Sequence, residues 1–147
     1  MTMRSFMRKR TQARELALQI LYKRDLNPEP LDTLLSAFWE TIKGLTPEVQ
    51  EYAELVVRGT LNHLEEIDPL LAKYTEHWEL SRMAVVDRNV LRFAAYELLY
   101  LEEIPPKVVI NEAVNIAKKF SQEESGKFVN GILDKINHTE PRRYAPR

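Results

Sequence analysis

Apolar residues recur at intervals of three and four along nearly the whole chain, and this spacing strongly favours a helical fold. From Val49 through Val56 to Leu64 the pattern runs without interruption and places one apolar face on a helix. No segment alternates apolar and polar residues over the length of a strand, and no turn of the hairpin type has strand-like residues on both sides. The sequence therefore predicts an all-α fold.

Prolines and glycines divide the pattern into about seven helices with short links. Gly44 has the position of a C-cap for the second helix, and Ser121 and Glu124 have the spacing of a capping box for the last one. The predicted helices cover residues 8–25, 31–43, 47–64, 68–74, 82–102, 106–120 and 122–137. Because residues 82–102 are apolar on most sides, we expect that helix to lie at the centre. We expect one domain over residues 1–147, with a frayed tail at 138–147.

Charge is distributed unevenly along the chain. Residues 1–14 form an arm with five basic side chains and no acidic one, whereas residues 15–140 hold 13 Lys and Arg against 22 Asp and Glu. The formal net charge of −1 conceals this division. Cations at a helix N-terminus oppose its dipole, so stability alone does not favour them there. The pattern is typical of a chain that binds a polyanion at one end.

Several classes of function find no support in the residues. The chain has no cysteine, no apolar run of the ~20 residues that span a bilayer, and no signal-peptide core. The three histidines, His63, His77 and His138, lack metal-site spacing, and there is no glycine-rich phosphate loop or nucleophile motif. We expect a cytoplasmic protein that is not an enzyme, does not contact a membrane, and needs no metal or cofactor.

Two groups of residues are candidates for binding. Basic residues gather near the start of helix one, and Gln19 and Tyr22 lie on its polar stripe, where an aromatic ring could stack on an unpaired base. On the residues alone, a solvated basic helix start with a half-buried Tyr22 explains the pattern equally well. In the central helix we expect Arg92 and Glu97 to pair, with Glu112 as a further partner. Asp87 could face a partner protein or serve only the fold, and Arg88 could face the same partner.

Four motifs in order along the chain resemble the NusB family of bacterial transcription antitermination factors. They are Arg10-x-x-Ala13-Arg14-Glu15 followed by Leu21-Tyr22, Val86–Asn89 running to Ala95–Leu98, Pro105–Ala113, and Ser125–Lys135. The resemblance covers nearly the whole chain. It implies two packed three-helix subdomains with an extra helix, in agreement with the independent count of about seven.

The resemblance also implies a function and its partners. Family members bind the single-stranded boxA element of nascent ribosomal RNA together with a small-subunit ribosomal protein acting as NusE, within an RNA polymerase antitermination complex. The candidate RNA-binding residues are Arg8, Lys9, Arg10, Arg14, Gln19, Tyr22, Tyr74, Glu124, Lys127 and Phe128. The candidate protein-partner residues are Glu79, Met83, Asp87 and Arg88. Thr11 and Gln12 depart from the family, where many relatives have further arginines, so the register of the phosphate contacts stays open.

Two alternative functions and the oligomeric state remain open at this point. The chain could be a protein-interaction module without direct RNA contact. It could also be an RNA-targeting domain of the kind fused to rRNA methyltransferases. Sequence does not decide whether the protein forms a homodimer.

Overall fold

The computed structural model describes residues 2–75 and 80–144, and these are folded into helices with no strand among them. The helices are α1 (Met3–Leu26), α2 (Leu31–Glu40), α3 (Pro47–Asn62), α4 (Leu64–Tyr74), α5 (Val85–Tyr100), α6 (Pro106–Phe120) and α7 (Glu123–Thr139), with a 3-10 turn at Leu80–Arg82. The all-α prediction and the number of helices are confirmed. No helix in the described ranges is long and apolar enough to cross a membrane.

The chain divides into two compact units, one ending at Arg58 and the other beginning at Gly59. In the first unit, α1 packs against α2, and the apolar stripe predicted on α1 is buried. Polar contacts join α2 to α3: the Trp39 indole donates to Glu54 at 2.9 Å, and Arg58 meets Asp32 at 2.8 Å. These bonds hold α3 in register beside α2.

The second unit is built around α5, which contacts α4, α6 and α7. Its side chains from Asn89 to Leu99 are buried except for the partly exposed Arg92, so the prediction of a central helix is confirmed. Gly59, in the last turns of α3, allows the ring of Tyr96 to approach the helix backbone. A Cβ atom at position 59 would lie 2.0 Å from Cζ of that ring.

Helix α1 begins at Met3 rather than near residue 8. The Thr2 hydroxyl accepts a hydrogen bond from the backbone N–H of Ser5 at 3.0 Å and so caps the helix five residues earlier than expected. Arg8, Arg10 and the residues after them therefore lie beyond the first turn. Because the dipole effect fades within that turn, the argument that these cations oppose the helix dipole is wrong for all but Arg4.

The ends of α2 and α4 also differ from the prediction. Helix α2 ends at Glu40, where the Thr41 hydroxyl donates to the Phe38 carbonyl, and Gly44 takes φ +73° later in the link instead of capping the helix. Helix α4 begins at Leu64, not at Asp68, and contains Pro69. The proline is tolerated because the carbonyl it leaves without a donor belongs to Glu65, an exposed residue of the first turn.

The last helix and the tail depart from expectation as well. Gln122 is the N-cap of α7, so the predicted capping box is wrong, and the hydroxyl oxygens of Ser121 and Ser125 lie 2.9 Å apart. Helix α7 continues to Thr139, and the backbone N–H of Arg143 donates to the Leu99 carbonyl at 2.7 Å. One backbone bond therefore links position 143 to α5, and the predicted fraying of residues 138–147, of which 145–147 lie outside the described residues, stays a prediction.

One charged residue of α5 pairs with a side chain that the sequence did not suggest. Arg92 forms a bidentate pair with Asp68 of α4, at 2.9 Å from Nε and 2.8 Å from Nη2, and also donates to Asn89 at 3.1 Å. Glu97 is completely buried. The predicted pairing of Arg92 with Glu97, and with Glu112, stays a prediction.

Candidate nucleic-acid and protein interfaces

Arg10, among the basic residues of α1, lies against two aromatic rings. Its guanidinium carbon lies 3.8 Å from the ring centroid of Tyr52, on α3, and 4.6 Å from that of Phe6. Stacking of this kind fixes the plane of the guanidinium while leaving its N–H groups free to donate at the edge. Arg10 is partly exposed, so the group is both oriented and reachable.

Lys9 and Arg10 border a cleft of about 390 Å³. Arg8 is exposed, and the Lys9 ammonium lies 3.8 Å from a carboxylate oxygen of Glu48. A backbone N–H and then Lys9 hold the pKa of Glu48 below its ordinary value. The cleft is lined by Phe6, Lys9, Arg10, Glu48, Glu51, Tyr52 and Leu55. Phe6 and Tyr52 were not among the predicted site residues, since Tyr52 fitted the apolar stripe of α3.

Arg14 differs from Arg10 although the two are one helical turn apart. It is only 2% exposed, and its guanidinium carbon lies 5.5 Å from the ring centroid of Tyr52. The sequence treated the two arginines as equivalent, but the structure gives only Arg10 an open face. Direct phosphate contact by Arg14 stays a prediction, and the contact that the structure shows supports the ring on which Arg10 rests.

Farther along α1, Gln19 is partly exposed and Tyr22 is 39% exposed. Arg8 and Tyr22 are fourteen positions apart, which corresponds to about 21 Å along the helix. Tyr22 borders a cavity of about 430 Å³ whose other lining residues include Lys23, Leu26, Leu34, Phe38 and Thr41. A ring beside an open, largely apolar hollow is suited to stacking on a base.

In the second unit, Tyr74 stands at the end of α4 and is tied to the chain beyond α7. Its hydroxyl donates to Glu140, and this hydrogen bond raises the pKa of Tyr74. The Lys73 ammonium lies 5.3 Å from the Tyr74 ring centroid. Tyr74, a candidate RNA-binding residue, is partly exposed, and its hydroxyl already has a polar partner.

The start of α7 places predicted RNA residues beside predicted protein-partner residues. Glu124 and Lys127 are exposed and pair at 3.6 Å, while Phe128 is half-buried. Glu124 and Phe128 line a groove of about 390 Å³ together with Met83 and Asp87. The sequence placed these residues in two separate groups, and the fold of α5 against α7 brings them to one surface.

Asp87 lies in this groove with one oxygen bonded and one not. Oδ2 accepts from the Ser125 hydroxyl at 3.1 Å, and Oδ1 is buried without a hydrogen-bond partner among the described residues. Burial raises the pKa of Asp87 above its ordinary value. Ser125, which was not among the predicted site residues, thus orients a carboxylate whose other oxygen has no donor among the described residues.

The other predicted partner residues have different environments. Arg88 donates from Nη1 to the Leu80 carbonyl at 2.7 Å, so its side chain braces the 3-10 turn. Met83 is buried at the groove. Glu79, like His77, lies outside the described residues. Within the described ranges, no three His, Asp or Glu side chains are grouped in a way that could hold a metal ion.

Comparison with known proteins supports the resemblance seen in the motifs. The model of the NusB family matches residues 11–138. The transcription antitermination protein NusB of Anaeromyxobacter dehalogenans is 48% identical over 128 residues, which cover 87% of this chain and 89% of that protein.

Solved structures are similar over most of the chain as well. T. maritima NusB has a TM-score of 0.80 at 40% identity and covers 93% of both chains. A chain from the crystal structure of antitermination factors NusB and NusE in complex with dsRNA has a TM-score of 0.80 at 34% identity, covering 89% of this chain and 97% of that one.

Proposed function

Because this chain belongs to the NusB family, we propose that it is a transcription antitermination factor that binds RNA together with NusE. The RNA is the boxA element of nascent rRNA transcripts, and NusE is the small-subunit ribosomal protein in that role. The complex helps RNA polymerase to resist termination in the cytoplasm. The protein contributes binding surfaces and no catalysis.

The observation that carries the RNA proposal is the contact of the Arg10 guanidinium with the rings of Phe6 and Tyr52. An oriented guanidinium can donate two parallel hydrogen bonds to a phosphate. Arg8 and Lys9 add charge beside it, and Tyr22 offers a ring farther along the same helix. Phosphate contacts and base stacking on one helix are the combination that single-stranded RNA requires.

The groove at α5 and α7 supports the second half of the proposal. A carboxylate with one unbonded oxygen, set beside Met83 and Phe128, suits a basic side chain presented with an apolar neighbour. The excess of acidic residues over basic ones between positions 15 and 140 favours a basic partner such as a ribosomal protein. Glu124 lines that groove and pairs with Lys127, a candidate RNA-binding residue, so we expect it to lie near both the protein partner and the RNA.

The direct test measures boxA RNA binding by fluorescence anisotropy, with and without NusE, across a salt series. If four or five cations contact phosphates, log K should fall against log salt with a slope of about −3. NusE should increase the affinity, and RNA with a scrambled boxA sequence should bind more weakly. A slope near zero, or equal binding of both RNAs, would refute the proposal.

A matched pair of variants tests the role of Arg10. Arg10→Lys keeps the charge but loses the planar group that stacks on Tyr52, so we expect weaker RNA binding. Arg8→Lys, at an exposed position outside the stack, should change the affinity little. If the protein were only an interaction module, neither the wild type nor the variants would bind boxA RNA without NusE, and all of them would still bind NusE.

A further inference from the structure

A single carboxylate just past the end of α7 accepts hydrogen bonds from two side chains and forms an ion pair with a third. Glu140 Oε2 receives the Tyr74 hydroxyl and lies 3.2 Å from the Lys73 ammonium, and Oε1 lies 3.7 Å from Arg143 Nη2. The hydrogen bond from Tyr74, followed by the charges of Lys73 and Arg143, lowers the pKa of Glu140. The carboxylate is therefore ionised at neutral pH.

From this geometry, and resting on the proposed function, we propose that Lys73, Tyr74 and Arg143 form a phosphate site for the RNA backbone that Glu140 occupies in the free protein. Lysine, arginine and tyrosine hydroxyls are the side chains that commonly donate to phosphate oxygens. Three such donors converging on one anion form a cradle, and an RNA phosphate offers the same acceptor oxygens as the carboxylate does.

The exposure of the groups fits an exchange of one anion for another. The side chain of Lys73 is 64% exposed and that of Arg143 is 36% exposed, while the side chain of Glu140 is only 9% exposed. Lys73 and Arg143 are thus reachable from solvent, whereas the Glu140 carboxylate that they contact is shielded from it. RNA would meet cations that are already gathered and oriented.

Glu140 can leave without unfolding the tail. It lies just past α7 with an extended backbone, and the next residues are held separately by the hydrogen bond from the Arg143 N–H to the Leu99 carbonyl. Rotation about its side-chain bonds is enough to free the donors. The exchange also frees the hydroxyl of Tyr74, a residue that the family resemblance assigns to RNA binding, to donate to the phosphate.

The decisive variant is Glu140→Gln, which removes the competing charge and retains the shape. If Glu140 occupies the cradle about nine-tenths of the time, its loss should increase the affinity for boxA RNA by up to about tenfold. Glu65→Gln is the matched control, since it removes the same charge from an exposed residue in the first turn of α4. Glu65 lies ~13 Å from Tyr74 along that helix.

A second variant, Lys73→Gln, tests the cradle from the opposite side. It changes an exposed side chain, so folding should be unaffected, and it should weaken RNA binding and make the salt slope shallower by about 0.7. In the Lys73→Gln background, Glu140→Gln should bring a smaller gain than it does alone.

Three results would overturn the inference. One is a Glu140→Gln affinity no higher than that of Glu65→Gln, which would identify Glu140 as a tail anchor only. Another is an unchanged affinity and salt slope for Lys73→Gln. If the wild-type protein does not bind boxA RNA at all, the proposed function fails together with this inference, whereas wild-type binding with no effect of these variants removes the inference alone.

Discussion

Gly59→Ala should destabilise this protein, although replacing glycine by alanine inside a helix ordinarily stabilises the folded state. Such a replacement usually increases the free energy of unfolding by roughly 0.5–1 kcal/mol, because glycine loses more backbone freedom on folding than alanine does. At position 59, however, the new Cβ would lie 2.0 Å from Cζ, 2.2 Å from Oη and 2.4 Å from Cε2 of Tyr96. Ordinary van der Waals contact begins near 3.4 Å, so the ring would have to move by more than 1 Å.

The ring has little freedom to move. Tyr96 is 8% exposed, and its ring centroid lies 5.6 Å from that of Tyr100 and 5.9 Å from that of His63. Overpacking of a filled site typically costs about 1–3 kcal/mol, which exceeds the gain in backbone entropy. We therefore expect a net loss of about 1–2 kcal/mol in the free energy of unfolding, or a few degrees in Tm.

Urea unfolding followed by circular dichroism would measure the change, and three further variants would test its cause. Gly131→Ala, where a Cβ meets nothing within 4 Å, should stabilise α7 by about 0.5–1 kcal/mol. Tyr96→Phe removes only Oη and should leave most of the penalty of Gly59→Ala, because Cζ remains. Tyr96→Leu should remove most of that penalty. Stabilisation by Gly59→Ala, or full rescue by Tyr96→Phe, would refute the steric explanation.

Three other outcomes follow from the contacts described. Tyr22→Ala should weaken boxA RNA binding by about 1–3 kcal/mol if the ring stacks on a base, and anisotropy with Tyr22→Phe as the control would show this. Asp87→Asn should stabilise the protein at neutral pH, since burial raises the pKa of Asp87 and so favours its neutral form, while binding of NusE weakens; urea unfolding and calorimetry would measure the two effects. Burial, with a hydrogen bond to Glu66, raises the pKa of Tyr100 to about 12, so its contribution to stability should be complete below pH 10 and lost as the pH rises through 12; alkaline unfolding of Tyr100→Phe beside wild type would check this.

The helices were predictable because each carries its own apolar repeat, and errors arose at their ends. The start of α4 depended on backbone bonds from residues 66 and 67 to the His63 carbonyl, which offset the presence of Pro69. The early start of α1 depended on the Thr2 cap. Backbone N–H and carbonyl groups occur in almost every residue, and hydroxyl side chains are common. Composition and periodicity therefore do not show which of them will form the bonds that end a helix.

The candidate sites were predictable only in part, because their side chains contact residues that are far away in the sequence. The basic residues of α1 were visible as a cluster, but their unequal exposure depends on Tyr52, 42 positions beyond Arg10. Pairing of Arg92 with Asp68 and of Tyr74 with Glu140 likewise joins residues far apart in sequence. Side-chain partners of this kind are set by how helices pack, so a single sequence does not identify them.

The position of Arg10 and Glu140 relative to the family match has a practical consequence. The matched segment runs from residue 11 to residue 138, so the stacked arginine and Phe6 precede it, and Glu140 and Arg143 follow it. A fragment trimmed to those limits would keep the central helix and its packing but would lose groups from both proposed phosphate sites. The two proposals together thus predict that substitutions at either end change the RNA affinity while the core stays constant.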